Sequence, residues 1–186
     1  MAAVAEQRTR RWTYEEYARL DDEQRYEIIG GELLMAPAPD MYHQEWAGEL
    51  YQRIVAHVRA RRLGKVYFAP VDVVFDAQNV VQPDLLFIAS ANLSIIKAPG
   101  VFGAPDLLVE LISPSSVRRD RYLKKGLYAR FGVKEYWIVE PGNKSLEIWK
   151  LQNQTFDLHC LLEEKGKLTS LVLPGLDFDL SEISGS

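Results

Sequence analysis

The sequence has very little cysteine and histidine. Cys160 is the only cysteine among 186 residues, and the chain has three scattered histidines. A single thiol excludes an internal disulfide, and so few Cys and His side chains argue against a structural zinc site. We therefore expect the protein to be cytoplasmic.

Long apolar runs are also missing. No stretch of about 18 apolar residues occurs, so we expect no membrane span. The first residues, MAAVAEQRTRRW, lack the apolar core of a signal peptide. The apolar content of 47% and charged content of 26% are typical of a globular protein. The sequence predicts a disordered tail over residues 1–12 and a single domain over residues 13–186.

Positive charge is scarce overall but clustered. The net charge of −4 argues against a protein that coats nucleic acid, yet residues 53–65 and 118–134 hold 12 of the 22 basic residues. Such clusters suit a phosphate-facing surface, although solvated helix faces explain them equally well. The candidate nucleic-acid contacts are Arg59, Arg61, Arg62, Arg118, Arg119, Arg121 and Lys125.

The N-terminal half predicts a short helix, a hairpin and a long helix. Thr13 and Glu16 form a capping box that opens the short helix. The run YEIIGGELLMAP is typical of two strands around a Gly-Gly turn. A helical apolar spacing then extends from about His43 to Arg62, where Gly64 is expected to end the helix. Its apolar face is Trp46, Leu50, Ile54 and Val58.

The rest of the chain indicates further strands and one more helix. KVYFAPVDVVF and VVQPDLLFIA predict two strands around the turn DAQN, and a loop, SANLSIIKAPGVFGAP, leads to the buried central strand DLLVELI. After SPSS a helix from about Val117 to Phe131, closed by Gly132, precedes the strand KEYWIVEP. This crossover predicts two parallel, adjacent strands. SLEIWKLQ, FDLHCLLE and KLTSLVL predict C-terminal antiparallel strands, and the sum is an α/β fold with a mixed β-sheet flanked by α-helices.

Two acids in strand-like runs form the main candidate site. Glu110 lies inside LLVELI, and Asp84 follows Pro83 at the head of LLFI. Taken singly, Glu110 could pair with an arginine and Asp84 could end a turn. Together, on neighbouring strands, two carboxylates suit Mg²⁺, with Mn²⁺ as a substitute. A bound ion of this kind polarises a phosphoryl oxygen and activates water.

A nuclease site of this kind normally includes a lysine close to the second acid. Ile112 stands two residues after Glu110, so the lysine must come from elsewhere. Asp120, Lys124 and Tyr128 are spaced to share one helix face, from which Lys124 could reach the strand end. A solvent-facing Lys124 paired with Asp120 is the alternative. Lys125 would point about 100° away from that face.

The ordered motifs resemble those of the PD-(D/E)-x-K nuclease superfamily, and more closely the Uma-type family of restriction-endonuclease-like proteins, also known as a domain of unknown function. The similarity extends from about Tyr14 to Leu180. The matching pieces are YEIIGGELLMAP followed by His43, VVQPDLLFI, VELISPSS, then Asp120, Lys124 and Tyr128, and finally GVKEYWIVEP.

This resemblance implies a restriction-endonuclease-like fold in which Asp84 and Glu110 are the metal carboxylates. It also implies that Lys124 replaces the lysine missing at Ile112. Glu27 would be a further acid of the site, and His43 a phosphate contact or proton shuttle. Both could equally be structural. Gln82 could face the site, and Asp72 could line the same sheet edge.

The leading functional hypothesis is therefore a Mg²⁺-dependent endonuclease that hydrolyses DNA phosphodiester bonds and acts as a homodimer. The alternative is a non-catalytic nuclease-like module that binds DNA or a protein partner, which the acidic net charge favours. Acid–base cleavage of a glycoside by Glu110 is a third hypothesis, and the buried strand around Glu110 argues against it.

Overall fold

The structure is a computed structural model that describes residues 10–22, 24–36, 38–113 and 116–184. Residues 1–9 of the predicted tail and two residues of SPSS, Pro114 and Ser115, lie outside the described residues. Trp12, also assigned to the tail, belongs to the fold, because its backbone N–H donates to the carbonyl of Gly31 at 2.8 Å. No helix in the described ranges is long and apolar enough to cross a membrane.

Two six-stranded mixed sheets form the framework. The α-helices are α1 (Tyr14–Tyr17), α2 (Met41–Arg61), α3 (Lys125–Phe131) and α4 (Ser181–Ser184). The first sheet has the order β2-β1-β5-β4-β8-β7, with β1 (Tyr26–Ile29), β2 (Glu32–Met35), β4 (Val73–Asp76), β5 (Asn79–Val81), β7 (Ile96–Lys97) and β8 (Gly100–Phe102). The second has the order β12-β11-β10-β9-β6-β3, with β3 (Gly64–Phe68), β6 (Leu85–Ala89), β9 (Leu107–Leu111), β10 (Glu135–Glu140), β11 (Ser145–Gln152) and β12 (Thr155–Glu163).

Strand β9 is the centre of the second sheet, as its apolar sequence predicts. It pairs in parallel with β10 and antiparallel with β6, and all five of its residues are buried. Leu107, Val109 and Leu111 pack with α2 on one face, and Leu108 packs on the other face in a core shared with the first sheet and α3. Because both faces are covered, any charged side chain on β9 must find its partners inside the protein.

The predicted helices and hairpin are confirmed, with one correction. The capping box of α1 and the antiparallel pairing of β1 with β2 are both present. Helix α2 buries Trp46, Leu50, Ile54 and Val58. It ends at Arg61, however, because Arg62 adopts the left-handed conformation with φ 54°. Gly64, expected as the terminator, already begins β3.

The two long strands predicted around DAQN are instead four short ones. Pro70 separates β3 from β4, and Pro83 separates β5 from β6, because proline donates no hydrogen bond to a sheet ladder. As a result β3 and β6 pair in the second sheet, whereas β4 and β5 form a hairpin in the first, with Asp76 opposite Asn79.

Two further segments differ from the sequence prediction. The predicted loop before β9 contains a 3₁₀ helix, Ser90–Ile95, and the small hairpin of β7 and β8. KLTSLVL forms no strand beyond an isolated bridge at Lys167; Leu168 and Leu173 are core residues there. Core packing, rather than pairing with a strand, accounts for the apolar pattern of this segment.

The connection from β9 to β10 positions much of the site. It is helical from Val117 to Phe131, as predicted, and Gly132 follows with φ 83°. Its first part is a π-helix, Arg119–Lys124, which continues into α3. A π-helical turn holds one residue more than an α-helical turn, and such turns occur frequently at functional sites.

Candidate active site

Glu110, in the middle of β9, is the centre of the candidate site. It is only 4% exposed. Lys124 Nζ donates to its Oε1 at 2.9 Å, and the Tyr128 hydroxyl donates to the same oxygen at 2.5 Å. Both donors lie on the helix that follows β9, so the predicted face of that helix does turn toward the strand. These contacts offset part of the several kcal/mol that burial of a carboxylate costs.

Two further buried carboxylates surround the Lys124 ammonium. Glu27, from β1, places its Oε1 2.7 Å from Nζ and accepts the backbone N–H of Gln82 at 2.9 Å. Asp120, from the π-helix, has its Oδ1 3.6 Å from Nζ. Lys124 therefore joins acids from the first sheet, the second sheet and the helix.

Asp84 lies on the strand next to Glu110. It immediately precedes β6, in which Leu85 is opposite Val109, so the antiparallel register places Asp84 across from Glu110. Its Oδ2 accepts the backbone N–H of Leu111 at 2.7 Å. This bond fixes the carboxylate at the end of β9 and turns it toward the space that Glu110 faces.

His43 reaches Asp84 from the first turn of α2. Its Nε2 is 3.2 Å from Asp84 Oδ2, and its backbone N–H donates to the capping carboxylate of Asp40 at 2.8 Å. Burial lowers the pKa of His43, but the hydrogen bond and charge of Asp84 outweigh burial, so the pKa lies above its usual value. His43 can therefore hold a proton near neutral pH.

Arg119 is a second cation at the acidic cluster. Its Nε lies 3.6 Å from Glu27 Oε2 and 3.7 Å from Asp120 Oδ1, and its Nη1 donates to the carbonyl of Met35 at 3.2 Å. Of the predicted nucleic-acid contacts, Arg119 is the one that lines the cavity beside these carboxylates.

Carboxylates outnumber the cations Lys124 and Arg119 in this cluster. Burial raises the pKa of Glu110; Lys124 opposes this shift, and the charges of Asp120, Asp84 and Glu27 reinforce it. Burial disfavours the Lys124 ammonium, but Glu110, Glu27 and Asp120 raise its pKa, so the amine stays protonated. Four carboxylates, from Glu27, Asp84, Glu110 and Asp120, lie near the two cations Lys124 and Arg119, and a protonated His43 would add a third positive charge.

A cavity of about 230 Å³ connects these groups with the surface. Glu27, Glu110 and Asp120 are buried parts of its lining, whereas Ala38 and Asp40 are exposed parts. A small anion or a hydrated ion can therefore approach the carboxylates without unfolding of the surrounding strands.

Comparison with known proteins places this chain in a family. Residues 14–181 match the profile of the family described as "Uma2: Putative restriction endonuclease". The chain belongs to the Uma2 family. The predicted resemblance to Uma-type proteins is thereby confirmed.

A solved structure shares the fold of this Uma2 chain. It is a crystal structure described as "a putative nuclease belonging to DUF820" from Anabaena variabilis, with a TM-score of 0.77 over 93% of this chain and 97% of that one. At 17% identity the likeness concerns the fold alone, and it confirms the predicted nuclease-like α/β architecture. No curated protein matches the sequence.

The donor set of the Uma2 site suits a hard divalent cation. Among the described residues, no three His, Cys, Asp or Glu side chains are already arranged as a metal cluster. Glu27 Oε2 and Asp120 Oδ1, however, are buried oxygens without a hydrogen-bond partner in the described part of the chain. Arg119 and Lys124 lie 3.6–3.7 Å from these oxygens without forming a hydrogen bond to them, and Mg²⁺ with part of its water shell would supply the missing contacts.

Gln82, which the sequence analysis suggested could face the site, lies at the edge of the cavity. It lines the cavity, and its backbone N–H holds Glu27. Its side chain, however, is directed toward other groups. Nε2 donates to Asp72 and to the Tyr17 hydroxyl, and Oε1 accepts from Arg25.

The remaining predicted nucleic-acid contacts do not line the cavity. Arg118 is exposed beside Arg119. Three other arginines lie at or just beyond the far end of α2; at 1.5 Å per residue, Arg59 lies about 24 Å along the helix from His43. This distal group consists of the exposed residues Arg59, Arg61 and Arg62.

Two basic residues of the helix after β9 point away from the carboxylates of the cavity. Arg121 forms ion pairs with Glu140 at 3.1 Å and Glu147 at 2.5 Å. Lys125 lies over the ring of Trp149, in agreement with its predicted direction away from the Lys124 face. Basic residues that lie close together in the sequence therefore lie on several different surfaces of the fold.

Sequence reasoning missed Arg25 and treated Asp120 only as a partner on the helix face. Both line the cavity. The strand period contained the signal for Arg25, because residues 25 and 27 of a strand point to one face and Glu27 was already a candidate. Asp120 could have been found from the same i, i+4 spacing that selected Lys124.

Proposed function

We propose that this Uma2 protein is a divalent-metal-dependent endonuclease that hydrolyses DNA phosphodiester bonds, with Mg²⁺ as cofactor and Mn²⁺ as a substitute. The observation that carries the proposal is the convergence of Glu27, Glu110 and Asp120 around Lys124, with Asp84 beside Glu110, in a cavity connected with the surface. The description of the family supports a nuclease.

Asp84 and Glu110 are the residues that would hold the ion, with Glu27 and Asp120 adding negative charge beside it. Bound there, Mg²⁺ would polarise a phosphoryl oxygen and lower the pKa of a coordinated water. Leu111 orients Asp84, and Tyr128 orients Glu110, through the hydrogen bonds described above. Loss of such a supporting hydrogen bond typically lowers metal affinity or activity by about 10- to 100-fold.

Lys124 acts as a fixed positive charge. Its raised pKa keeps the ammonium protonated, so it cannot accept the proton of the attacking water. Its role is to orient that water and to stabilise the charge that develops on the phosphate. His43, beside Asp84, is the group that can exchange a proton near neutral pH.

The non-catalytic alternative has one observation in its favour. Lys124 Nζ already contacts Glu27 at 2.7 Å and Glu110 at 2.9 Å, so it could serve only to neutralise buried acids. The two functions differ in their response to a conservative change at Asp84. A catalytic site loses cleavage, whereas a binding module cleaves nothing in either form.

The test uses supercoiled plasmid and labelled linear duplex, incubated with Mg²⁺ or Mn²⁺ and with EDTA. We expect nicking or cutting that requires the metal. Asp84→Asn and Glu110→Gln should each lower the rate at least about 100-fold, because each removes a carboxylate that would hold the ion. Asp157→Asn, an exposed carboxylate on β12, is the matched control. Metal-independent cleavage, or equal rates in all variants, would refute the proposal.

The homodimer remains a prediction of the same hypothesis. Two sites related by a two-fold axis would suit the cutting of both strands of a duplex. The cytoplasmic location also remains a prediction.

A further inference from the structure

Arg25 is a cation of the cavity without an acidic partner. It lies one residue before β1, and its carbonyl accepts the backbone N–H of Ala36 at 2.8 Å, so the backbone extends the hairpin. Its half-buried side chain lines the cavity together with Glu27 and Asp84. None of the ion pairs formed among the described residues includes Arg25.

A single side-chain hydrogen bond holds the guanidinium. Arg25 Nε donates to Gln82 Oε1 at 3.1 Å, and its two terminal nitrogens have no hydrogen-bond partner within the described part of the chain. The five donors of a guanidinium form a planar fork that matches phosphate geometry. Here the fork keeps its outer donors free at the cavity.

Gln82 is itself fixed by two further groups. Its Nε2 donates to Asp72 Oδ1 at 2.9 Å and to the Tyr17 hydroxyl oxygen at 3.1 Å. Tyr17 in turn donates to Asp72 Oδ1 at 2.9 Å. Burial and the charge of Asp72 raise the pKa of Tyr17, so the phenol keeps its proton. With its amide nitrogen engaged in this way, Gln82 must present its oxygen to Arg25.

Tyr17, Asp72 and Gln82 form a relay of side chains that leads to Arg25. The backbone of Gln82 connects this relay with the carboxylates of the cavity. Its N–H donates to Glu27 Oε1, the oxygen that contacts Lys124 at 2.7 Å. Asp84 follows two residues later. A shift of Gln82 would therefore move Arg25 relative to the carboxylates, which gives the relay a geometric effect on the site.

We propose that Arg25 binds a backbone phosphate of the nucleic-acid strand in the cavity, and that Tyr17, Asp72 and Gln82 are positioning residues that aim its guanidinium. The proposal rests on the nuclease function above, and it assigns the part of the site that recognises the substrate anion. Free donors on a positioned arginine form strong, bidentate bonds with phosphate oxygens.

The primary test measures binding of a fluorescently labelled 20-base-pair duplex in EDTA, where no cleavage occurs, and then kcat and KM with Mg²⁺. Arg25→Gln should weaken binding about 10- to 100-fold, as expected for a hydrogen bond to a charged group. It should also reduce the slope of log K against log salt by about 0.9, the value for one phosphate. Arg25→Lys restores the charge without the fork, so it should recover the slope but not the full affinity.

Arg19→Gln is the control, because it removes the same charge from an exposed arginine that does not line the cavity. Melting temperatures of all variants show whether each one is folded. If Arg25→Gln does not fold, Arg25→Lys alone decides, since it must still weaken binding.

Two readouts distinguish phosphate binding from a structural role. The first uses a set of duplexes, each with a single backbone phosphate replaced by a neutral methylphosphonate. Replacement of the phosphate that Arg25 contacts should weaken binding by wild type but not by Arg25→Gln. Asp72→Asn should raise Kd in wild type and have no further effect in the Arg25→Gln background, because the relay acts only through Arg25. Additive effects of the two substitutions would overturn the positioning roles.

The outcomes also distinguish this proposal from the nuclease function. If wild type cleaves DNA and Arg25→Gln leaves Kd, KM and the salt slope unchanged, the phosphate role of Arg25 fails while the nuclease function stands. If wild type binds DNA without cleaving it and Arg25→Gln weakens that binding, the nuclease function fails while the phosphate role of Arg25 stands. If wild type neither binds nor cleaves duplex or single strands, both proposals fail.

Discussion

Glu110 competes with three other carboxylates for the positive charge of the site. Burial and the neighbouring acids raise its pKa, so without metal it holds a proton more readily than an exposed glutamate. A raised carboxyl pKa in the folded state means that the folded protein binds more protons than the unfolded chain. Its contribution to stability is therefore largest at acid pH and decreases as pH rises.

This leads to a prediction for Glu110→Gln, which mimics the protonated side chain. In EDTA, wild type should lose stability relative to the variant by about 1.4 kcal/mol per pH unit between the unfolded and the raised folded pKa. Urea unfolding at a series of pH values from 4.5 upward measures the difference. Asp157→Asn keeps Glu110, so its stability relative to Glu110→Gln should fall with pH as that of wild type does. Parallel curves for wild type and Glu110→Gln would contradict the shift.

Ile112 and Lys124 explain how the site has a lysine without the D/E-x-K spacing. Ile112 is 4% exposed and packs in the core with Leu127. A lysine at position 112 would bring a charge into this apolar cluster, at a cost of several kcal/mol. Lys124 approaches Glu110 from the helix instead, and Ile112 is an ordinary core residue.

The elements that carry the main site could be predicted because their sequence patterns are local. Glu110 lies on a run that is apolar on both faces, Lys124 and Tyr128 follow helical spacing, and Glu27 lies in a hairpin with a Gly-Gly turn. The adjacency of Asp84 and Glu110 was predicted from two runs read as neighbouring strands; β7 and β8 intervene in the sequence, but the pairing of β6 with β9 confirms the adjacency.

The features that were missed depend on contacts between distant segments. The division of the strands at Pro70 and Pro83 determines which sheet each half of a predicted strand joins. No local sequence pattern predicts that assignment. The Arg25 relay joins side chains from four segments of the chain. The π-helical turn at Arg119–Lys124 is likewise invisible in the spacing of apolar residues.

The π-helix itself allows a test of its role. Deletion of Leu123, an exposed residue of that segment, should restore α-helical hydrogen bonding. Residues before the deletion would then rotate by about 100° relative to α3, which moves Arg119 and Asp120 out of the cavity. We expect nuclease activity to fall at least about 100-fold while the circular dichroism spectrum stays native.

Leu123→Ala is the matched control, because it shortens the same side chain without changing the helical register. It should keep near-wild-type activity. Full activity after the deletion would mean that the positions of Arg119 and Asp120 relative to Lys124 are unimportant.

Across the whole molecule, several basic residues form ion pairs with acids of the same chain. Arg53 pairs with Glu182 at 2.8 Å, and Arg121 pairs with Glu140 and Glu147. The net charge of −4 and the acidic side chains of the cavity oppose the approach of a DNA duplex. A divalent ion would then have two effects, because it neutralises the carboxylates and removes their repulsion of the phosphate backbone.

A metal that binds the folded protein must also stabilise it, and this linkage can be measured without any substrate. At a Mn²⁺ or Mg²⁺ concentration about 100 times its Kd, the free energy of unfolding should rise by about 2.7 kcal/mol. For a chain of this size that corresponds to an increase in Tm of about 5–10 °C. Asp84→Asn should lose most of the increase and Asp157→Asn none of it. An equal increase in Asp84→Asn would place the ion elsewhere, because Asp84 and Glu110 are the carboxylates that the proposed site requires.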